Sequence, residues 1–549
     1  MSAPQDVSAR RSDRADPRRA LNRRTFLAGS AAVTGAVAGG LTLPSPAVAA
    51  PAAASRSAAP YLPDIQVRDA ARRDPTEATL TEAAVLMRQR KLTSVALTEA
   101  YLARIERYDG VYQAFAEVTA DAALTAARAA DRRSTGRRGV LNGVPLCVKD
   151  NYFTQGVPTR CNSYIFADFV PEYDATAVAR LTAAGGIVLG KGQMGPLATT
   201  RATLPNGTVT TVNAWTPDNP ATDPGGSSTG SACAVAGRLA ASAIGTQTGG
   251  SIVLPANRQN LTGLKPTMGR ASVYGVIPLS FTRDHPGPLA RDAMDAALML
   301  SVMAGPDPND PRTLGLPGVP DLVRAATPVR SRRGTVQVRH ATRIGVPANF
   351  LGSSATAAVR SALLDTLDGI SGVTLVDIAY PADWSLLTTT FNAARLAERT
   401  EPFRHWLRED PTKFGVSLLS WLQGLMLSGD EWLTAQRAKN HLLREVLDGF
   451  LDDCDVVLQT DVVPFDLLGL PLIGFPAGFV GGVPSGVLLG GQPYEEDRLL
   501  EVVAAYQAVT DWHTRRPADP ATVPQGAASR SAAAEPLRLS AEEAAELSA

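Results

Sequence analysis

A chain of 549 residues, 45% of them hydrophobic, has material for one large core or two smaller ones. Its 53 basic and 53 acidic side chains cancel to a formal net charge of +0, which leaves no electrostatic ground for a nucleic-acid partner. The basic residues are almost all arginine, with lysine only at Lys91, Lys149, Lys191, Lys265, Lys413 and Lys439. A guanidinium keeps its proton in any protein environment, whereas an ammonium can be tuned to lose one, so each lysine is a candidate for work arginine cannot do.

In chain order, the first feature is Asn22-Arg23-Arg24-Thr25-Phe26-Leu27, a twin-arginine pattern. A small-residue apolar run from Leu27 to about Leu43 follows, and Ala47-Val48-Ala49 then offers an A-x-A cleavage site. Residues 1–49 read as a removable export signal of the kind that carries folded proteins across a bacterial membrane, so a secreted or extracytoplasmic location is expected. The run is too short and too rich in Ala and Gly for an anchor, and no stable membrane association is expected. Residues 50–75 mix Ala, Ser, Pro and Arg and read as a flexible leader; residues 518–549 read as a low-complexity tail. The folded domain is expected over residues 76–517.

Within it, apolar positions recur at helical spacing over residues 79–133, with Leu80, Ala83, Ala84 and Met87 on one face and Leu97, Tyr101, Leu102 and Ile105 on another. A strand follows at residues 144–148 and runs into Lys149-Asp150, and a helix near residues 174–178 leads to a buried strand at 187–189. Residues 205–230 are loop, the small residues 232–243 suggest a tightly packed helix, and the Gly-rich stretch 245–251 is loop again. A second portion, 343–453, contains a helical stretch over 403–427. Its Phe403, Trp406, Phe414, Leu418, Trp421, Leu422, Leu425 and Met426 read as core, leaning toward an apolar or aryl acyl group only if part of them faces the site. Short strands at 456–458, 472–475 and 485–489 precede a last helix over 497–511. This alternation of helices and apolar strands predicts an α/β fold. Cys147, Cys161, Cys233 and Cys454 lack metal spacing and read as buried free thiols. His285, His340, His405, His441 and His513 are scattered without the paired spacing of a zinc site, so no metal is expected.

Two loops carry the chemistry: Asp223-Pro224-Gly225-Gly226-Ser227-Ser228-Thr229-Gly230-Ser231, and Gly245-Thr246-Gln247-Thr248-Gly249-Gly250-Ser251-Ile252. Consecutive glycines let backbone N–H groups converge on one point, as an oxyanion requires, and a serine ending such a run can attack where the charge is caught. By themselves Gly/Ser runs are more often plain loops. With Lys149 upstream, however, this pair of loops resembles the amidase signature family, whose pattern is Gly-Gly-Ser-Ser-Gly-Gly-Ser followed by Gly-Thr-Asp-Thr-Gly-Gly-Ser. Ser227 and Ser251 stand 24 positions apart (251 − 227), which fits that pattern. The likeness continues through Leu141-Asn142-Gly143-Val144-Pro145, Val148-Lys149-Asp150-Asn151, Gly263-Leu264-Lys265-Pro266-Thr267, Gly287-Pro288-Leu289-Ala290-Arg291, Gly469-Leu470-Pro471 and Pro476-Ala477-Gly478, covering about residues 75–517.

The resemblance implies a central mixed, twisted β-sheet covered by helices on both faces. It implies an amidase acting on a small-molecule amide without a cofactor, with ester hydrolysis as a side activity. Ser251 would be the acyl-accepting nucleophile, Ser227 a proton relay preceded by a cis peptide bond, and Lys149 the terminal base, which requires a depressed pKa. Backbone N–H groups of Thr248, Gly249, Gly250 and Ser251 would form the oxyanion hole, and the Met194 carbonyl would contact substrate. The sequence departs from the pattern at Thr229 (usually glycine), at Gln247 (usually aspartate) and at Val253 or Leu254 (where an arginine usually follows the nucleophile). Losing that aspartate and arginine together leaves no orphan charge. These departures motivate a non-catalytic binding protein on the same scaffold as one alternative. The other is an α/β-hydrolase-type esterase, because Gly226-Ser227-Ser228-Thr229-Gly230 also fits G-x-S-x-G, which would make Ser228 the nucleophile but demands a strand directly before it.

Overall fold

The computed structural model describes residues 57–521 except 134, 135 and 137. The export signal expected over 1–49, the start of the leader and nearly all of the tail lie outside the described residues.

Among the described residues twelve strands form a single sheet: β1 Phe115–Val118, β2 Pro145–Lys149, β3 Ile187–Gly192, β4 Ser242–Gln247, β5 Thr262–Lys265, β6 His285–Ala290, β7 Val329–Arg330, β8 Val336–Pro347, β9 Ser371–Ile378, β10 Val456–Gln459, β11 Leu472–Val480 and β12 Val483–Gly491. The order is β1-β3-β2-β4-β6-β5-β11-β12-β10-β8-β7, with β9 also paired to β8. The sheet is mixed: β2 runs parallel to both β3 and β4, whereas β4 meets β6 antiparallel. Every residue of β2, β4, β5, β6 and β10 is buried, and since successive side chains point to opposite faces, both faces of the central sheet are covered. The helices packed around them complete the fold that the resemblance implied. Among the described residues no helix is long and apolar enough to cross a membrane.

Several sequence expectations need correction. The helical spacing over 79–133 is interrupted: the helix Ser94–Tyr112 ends at Gln113, which adopts left-handed φ of 49°, and the Asp109 carboxylate accepts the Ala114 and Phe115 N–H groups as the chain enters β1. The small residues 232–243 are only half helix. Thr229–Ala236 is helical, Arg238 turns left-handed at φ 60°, and Ser242–Gln247 is the central strand β4, so residues 245–247 are strand rather than loop. Small apolar runs fit a packed helix and a doubly buried strand equally well, and periodicity does not separate them. The described part of the leader is anchored, with Val67 buried, Leu62 and Ile65 packed on the core, and Arg68 paired with Glu82 at 2.7 Å. Likewise the fold extends past residue 517, because Asp519 bridges Arg104 and Arg238.

The aromatic stretch 403–427 divides into the helix Arg404–Glu409, the 3-10 segment Pro411–Ser417 and the helix Leu418–Met426. Phe403, Trp406, Phe414 and Trp421 are core, as read from the sequence. Leu422 and Met426 are exposed instead, on the outward side of their helix.

Candidate active site

Because β2 and β4 are parallel neighbours, with Val148 opposite Ile244, their C-terminal ends lie at the same rim of the sheet. Ligands collect at such rims in open α/β sheets. Lys149 is the last residue of β2, Ser251 follows the end of β4, and Ser227 lies in the turn entering the helix Thr229–Ala236. The Ser228 N–H donates to the Ser251 carbonyl at 3.3 Å, tying the two serine loops together.

The Lys149 amine is wholly buried, with Nζ 2.8 Å from Ser227 Oγ, 2.9 Å from Thr246 Oγ1 and 3.3 Å from the Thr246 carbonyl. A protonated amine can donate to all three oxygens. A neutral amine has two hydrogens, which suit the Thr246 pair, and one lone pair, which can accept the Ser227 hydroxyl proton. The cage therefore accommodates both protonation states. Burial, only partly opposed by the Asp284 carboxylate, brings Lys149 down to about 7. Asn151 Nδ2 donates to Thr246 Oγ1 at 3.0 Å and fixes that hydroxyl from the other side.

The Gly226–Ser227 peptide bond is cis, as the resemblance implied. Two glycines make this turn fit. Gly225 has φ 75° and a Cβ there would lie 2.4 Å from Pro255 Cα; one on Gly226 would lie 2.5 Å from Arg201 Cα. Thr229, the first departure, donates to the Gly225 carbonyl and accepts the Ala202 N–H, each at 2.9 Å, bonds a glycine could not make.

Ser251 is 9% exposed, at the margin of the buried interior, beside the exposed Gly249. The turn holding it is braced from behind by the second departure. Gln247 Oε1 accepts the N–H groups of Ile252 at 2.8 Å and Val253 at 3.0 Å, while Gln247 Nε2 donates to Asp466 Oδ1 at 2.7 Å. Burial pushes the Asp466 carboxyl up, opposed by Lys265, Gln247 and Arg283. The Thr248 hydroxyl donates to Asp284, whose other oxygen accepts the Leu279 and Ser280 N–H groups at 2.7 and 3.0 Å. At the third departure Val253 is buried and Leu254 is 37% exposed, so no cation follows Ser251.

Lys149, Ser227 and the Thr248–Ser251 turn are thus assembled at one rim. Met194 is buried, and its carbonyl accepts Asn162 Nδ2 at 2.6 Å. Ser228 is fully buried, its hydroxyl donating to the Thr246 carbonyl at 3.3 Å, and no strand precedes it, so it does not form a nucleophile elbow. His285, on β6 beside Gln247, directs Nδ1 at the Arg283 and Gln247 carbonyls, and burial holds it far below its ordinary pKa.

Sequence reasoning missed the roles of Thr246, Asn151, Asp284 and Asp466. Thr246 and Asn151 stood inside the quoted motifs, beside residues already singled out. Asp466 lies 219 positions from Gln247, and no local pattern marks it.

The family model described as Amidase matches residues 96–460. A glutamyl-tRNA(Gln) amidotransferase subunit of Pseudomonas aeruginosa is 35% identical over 491 residues, covering 80% of this chain and 99% of the relative. The protein of the same name from Azotobacter vinelandii is 36% identical over 490 residues, again covering 80% and 99%. Among solved structures, native peptide amidase from Stenotrophomonas maltophilia superposes with a TM-score of 0.69 at 27% identity, covering 81% of this chain and 98% of that one.

Proposed function

The chain belongs to the amidase family, and from that membership we propose that it hydrolyses a carboxylic amide through an acyl intermediate on Ser251, with Ser227 and Lys149 as the proton path. The observation that carries this reading is the 2.8 Å contact between Ser227 Oγ and a fully buried Lys149 amine that loses its proton near neutrality. Ser251 Oγ attacks the amide carbon, its proton passing to Ser227 as the Ser227 proton passes to Lys149 Nζ. The oxyanion is received by backbone N–H groups of Thr248, Gly249, Gly250 and Ser251. Collapse expels the amine, which takes its proton back along the same path. Water then attacks the acyl-Ser251 ester, and the carboxylic acid leaves. Esters would be cleaved by the same steps.

The similarity to amidotransferase proteins favours a second reading, in which the ammonia released at Ser251 passes to a partner chain instead of to solvent. Multiple turnover by the isolated chain in water supports hydrolysis; turnover only with a partner supports transfer. On the twin-arginine pattern we also propose export of the folded enzyme, with residues 1–49 as the signal.

The test is fluorophosphonate labelling mapped by mass spectrometry, with a hydrolysis screen over short aliphatic, aryl and long-chain amides. A label on Ser251 that is lost in Ser251→Ala, together with release of acid from at least one amide class, is the expected result. An unlabelled, inert chain would leave a binding protein on the amidase scaffold.

A further inference from the structure

We propose that Gln247 and Asp466 work as one positioning pair for the Ser251 turn, in which at least one member must be an amide. The proposal rests on Ser251 being the nucleophile. Both side chains are fully buried, so neither can turn to solvent for a substitute partner. The Gln247 carboxamide is used at both ends: its oxygen takes the N–H groups of Ile252 and Val253, and its nitrogen donates to Asp466 Oδ1. Residues 252 and 253, which directly follow Ser251, are therefore held by this pair.

The arrangement has a polarity. An acid at position 247 could still accept the Ile252 and Val253 N–H groups, but its second oxygen would confront Asp466 Oδ1 across the present 2.7 Å contact. Two ionised oxygens at that distance in a dry interior repel strongly, so the contact survives only with a proton held between them. With Asp466 present, the aspartate of the common loop pattern would meet a carboxylate here. The departure at Gln247 is in this sense matched to Asp466. Exchanging the roles restores every bond: an asparagine at 466 would donate Nδ2 to a glutamate at 247, whose other oxygen would accept the Ile252 and Val253 N–H groups. Lys265, 3.9 Å from Asp466 Oδ1, lies beside the pair in either arrangement.

The experiment compares Gln247→Glu, Asp466→Asn and the double variant, reading the rate of fluorophosphonate labelling of Ser251 from pH 5.5 to 9 relative to wild type at each pH. Gln247→Glu should fall about 100-fold at pH 8, the scale of an ångström-sized displacement of reacting groups, and should recover relative to wild type as the pH is lowered. The double variant should return to within about fivefold, with a pH-independent ratio, because the exchanged pair holds the turn as the native one does. A residue that merely fills space would give no such pH dependence and no reciprocal rescue. A folded Gln247→Glu protein with labelling near wild type across the range overturns the proposal. So does a double variant no better than Gln247→Glu. If Gln247→Glu fails to fold, the double variant decides alone: folding with labelling supports the pair, and failure to fold refutes it. If wild-type Ser251 takes no label, the hydrolase reading fails by itself. The melting temperatures of the same variants still test the pair, by whether the double variant regains what Gln247→Glu loses.

Discussion

Replacing Lys149 with arginine keeps the positive charge and most of the length but removes the ability to give up a proton. An ordinary lysine, with a pKa near ~10.4, is neutral at pH 7 in about one molecule in 2,500. Lys149, brought down to about 7 by burial, is neutral in about half. Burial therefore raises the active form about a thousandfold. A guanidinium has effectively none, so Lys149→Arg should lose at least about 10³ in kcat, as much as Lys149→Ala, the remainder being relay through water. In the wild type, kcat/KM should fall tenfold per pH unit below about 7 and level off above it. The same shift couples to stability. Between pH about 7 and ~10.4 the unfolded chain holds the Lys149 proton and the folded chain does not, so stability rises with pH across that window. Below pH 7 both states are protonated, and the fold carries the whole cost of a buried ammonium, an upper bound of about 5 kcal/mol. Lys149→Met should abolish that pH dependence. Turnover and thermal unfolding from pH 5 to 9 measure both effects. A folded Lys149→Arg enzyme turning over within tenfold of wild type, or a flat wild-type profile, would refute lysine as the base.

Ser251→Ala should form no acyl-enzyme, whereas Ser227→Ala should stay folded and react orders of magnitude more slowly, both read by burst kinetics. Thr246→Val removes an oxygen that Lys149 Nζ contacts at 2.9 Å; the pH–rate profile should show a lower plateau and an acidic limb moved to lower pH, since the charged amine loses the most. Gly230→Ala would place a Cβ 2.2 Å from the Ala114 carbonyl oxygen and 2.4 Å from the Gln193 nitrogen, both backbone, and calorimetry should show a loss of about 2 kcal/mol or more. Changing Arg23 and Arg24 to lysine should leave precursor inside the cell, where fractionation and immunoblotting would find it.

The candidate site residues were legible because their signal is local. Lys149 ends an apolar strand, and Ser227 and Ser251 close two glycine-rich loops, so short stretches of sequence name all three. The sheet was legible where alternation of helix and strand is plain, as at 174–192, which contains the helix Thr176–Ala183 and β3. It was not legible at Ser242–Gln247, where alanine and glycine fit any buried element, nor at Gln113, where a left-handed residue ends a helix whose spacing predicts continuation. The bracing of the Ser251 turn was hidden for another reason. Gln247 read as a departure because its partner Asp466 becomes a neighbour only after β4 and the segment before β11 are brought together.

Of the six lysines, Lys149, Lys191 and Lys265 have no exposed surface and Lys439 only 8%, while Lys91 is exposed and Lys413 half-buried. Among its lysines the folded enzyme therefore offers amine-reactive reagents only Lys91 and Lys413. Activated esters and aldehyde cross-linkers, which modify most proteins at many surface points, should decorate this one sparsely and at nearly fixed positions. The same scarcity makes Lys91, in the turn after the helix Leu80–Arg88, a natural handle for tethering the enzyme to a support in one orientation.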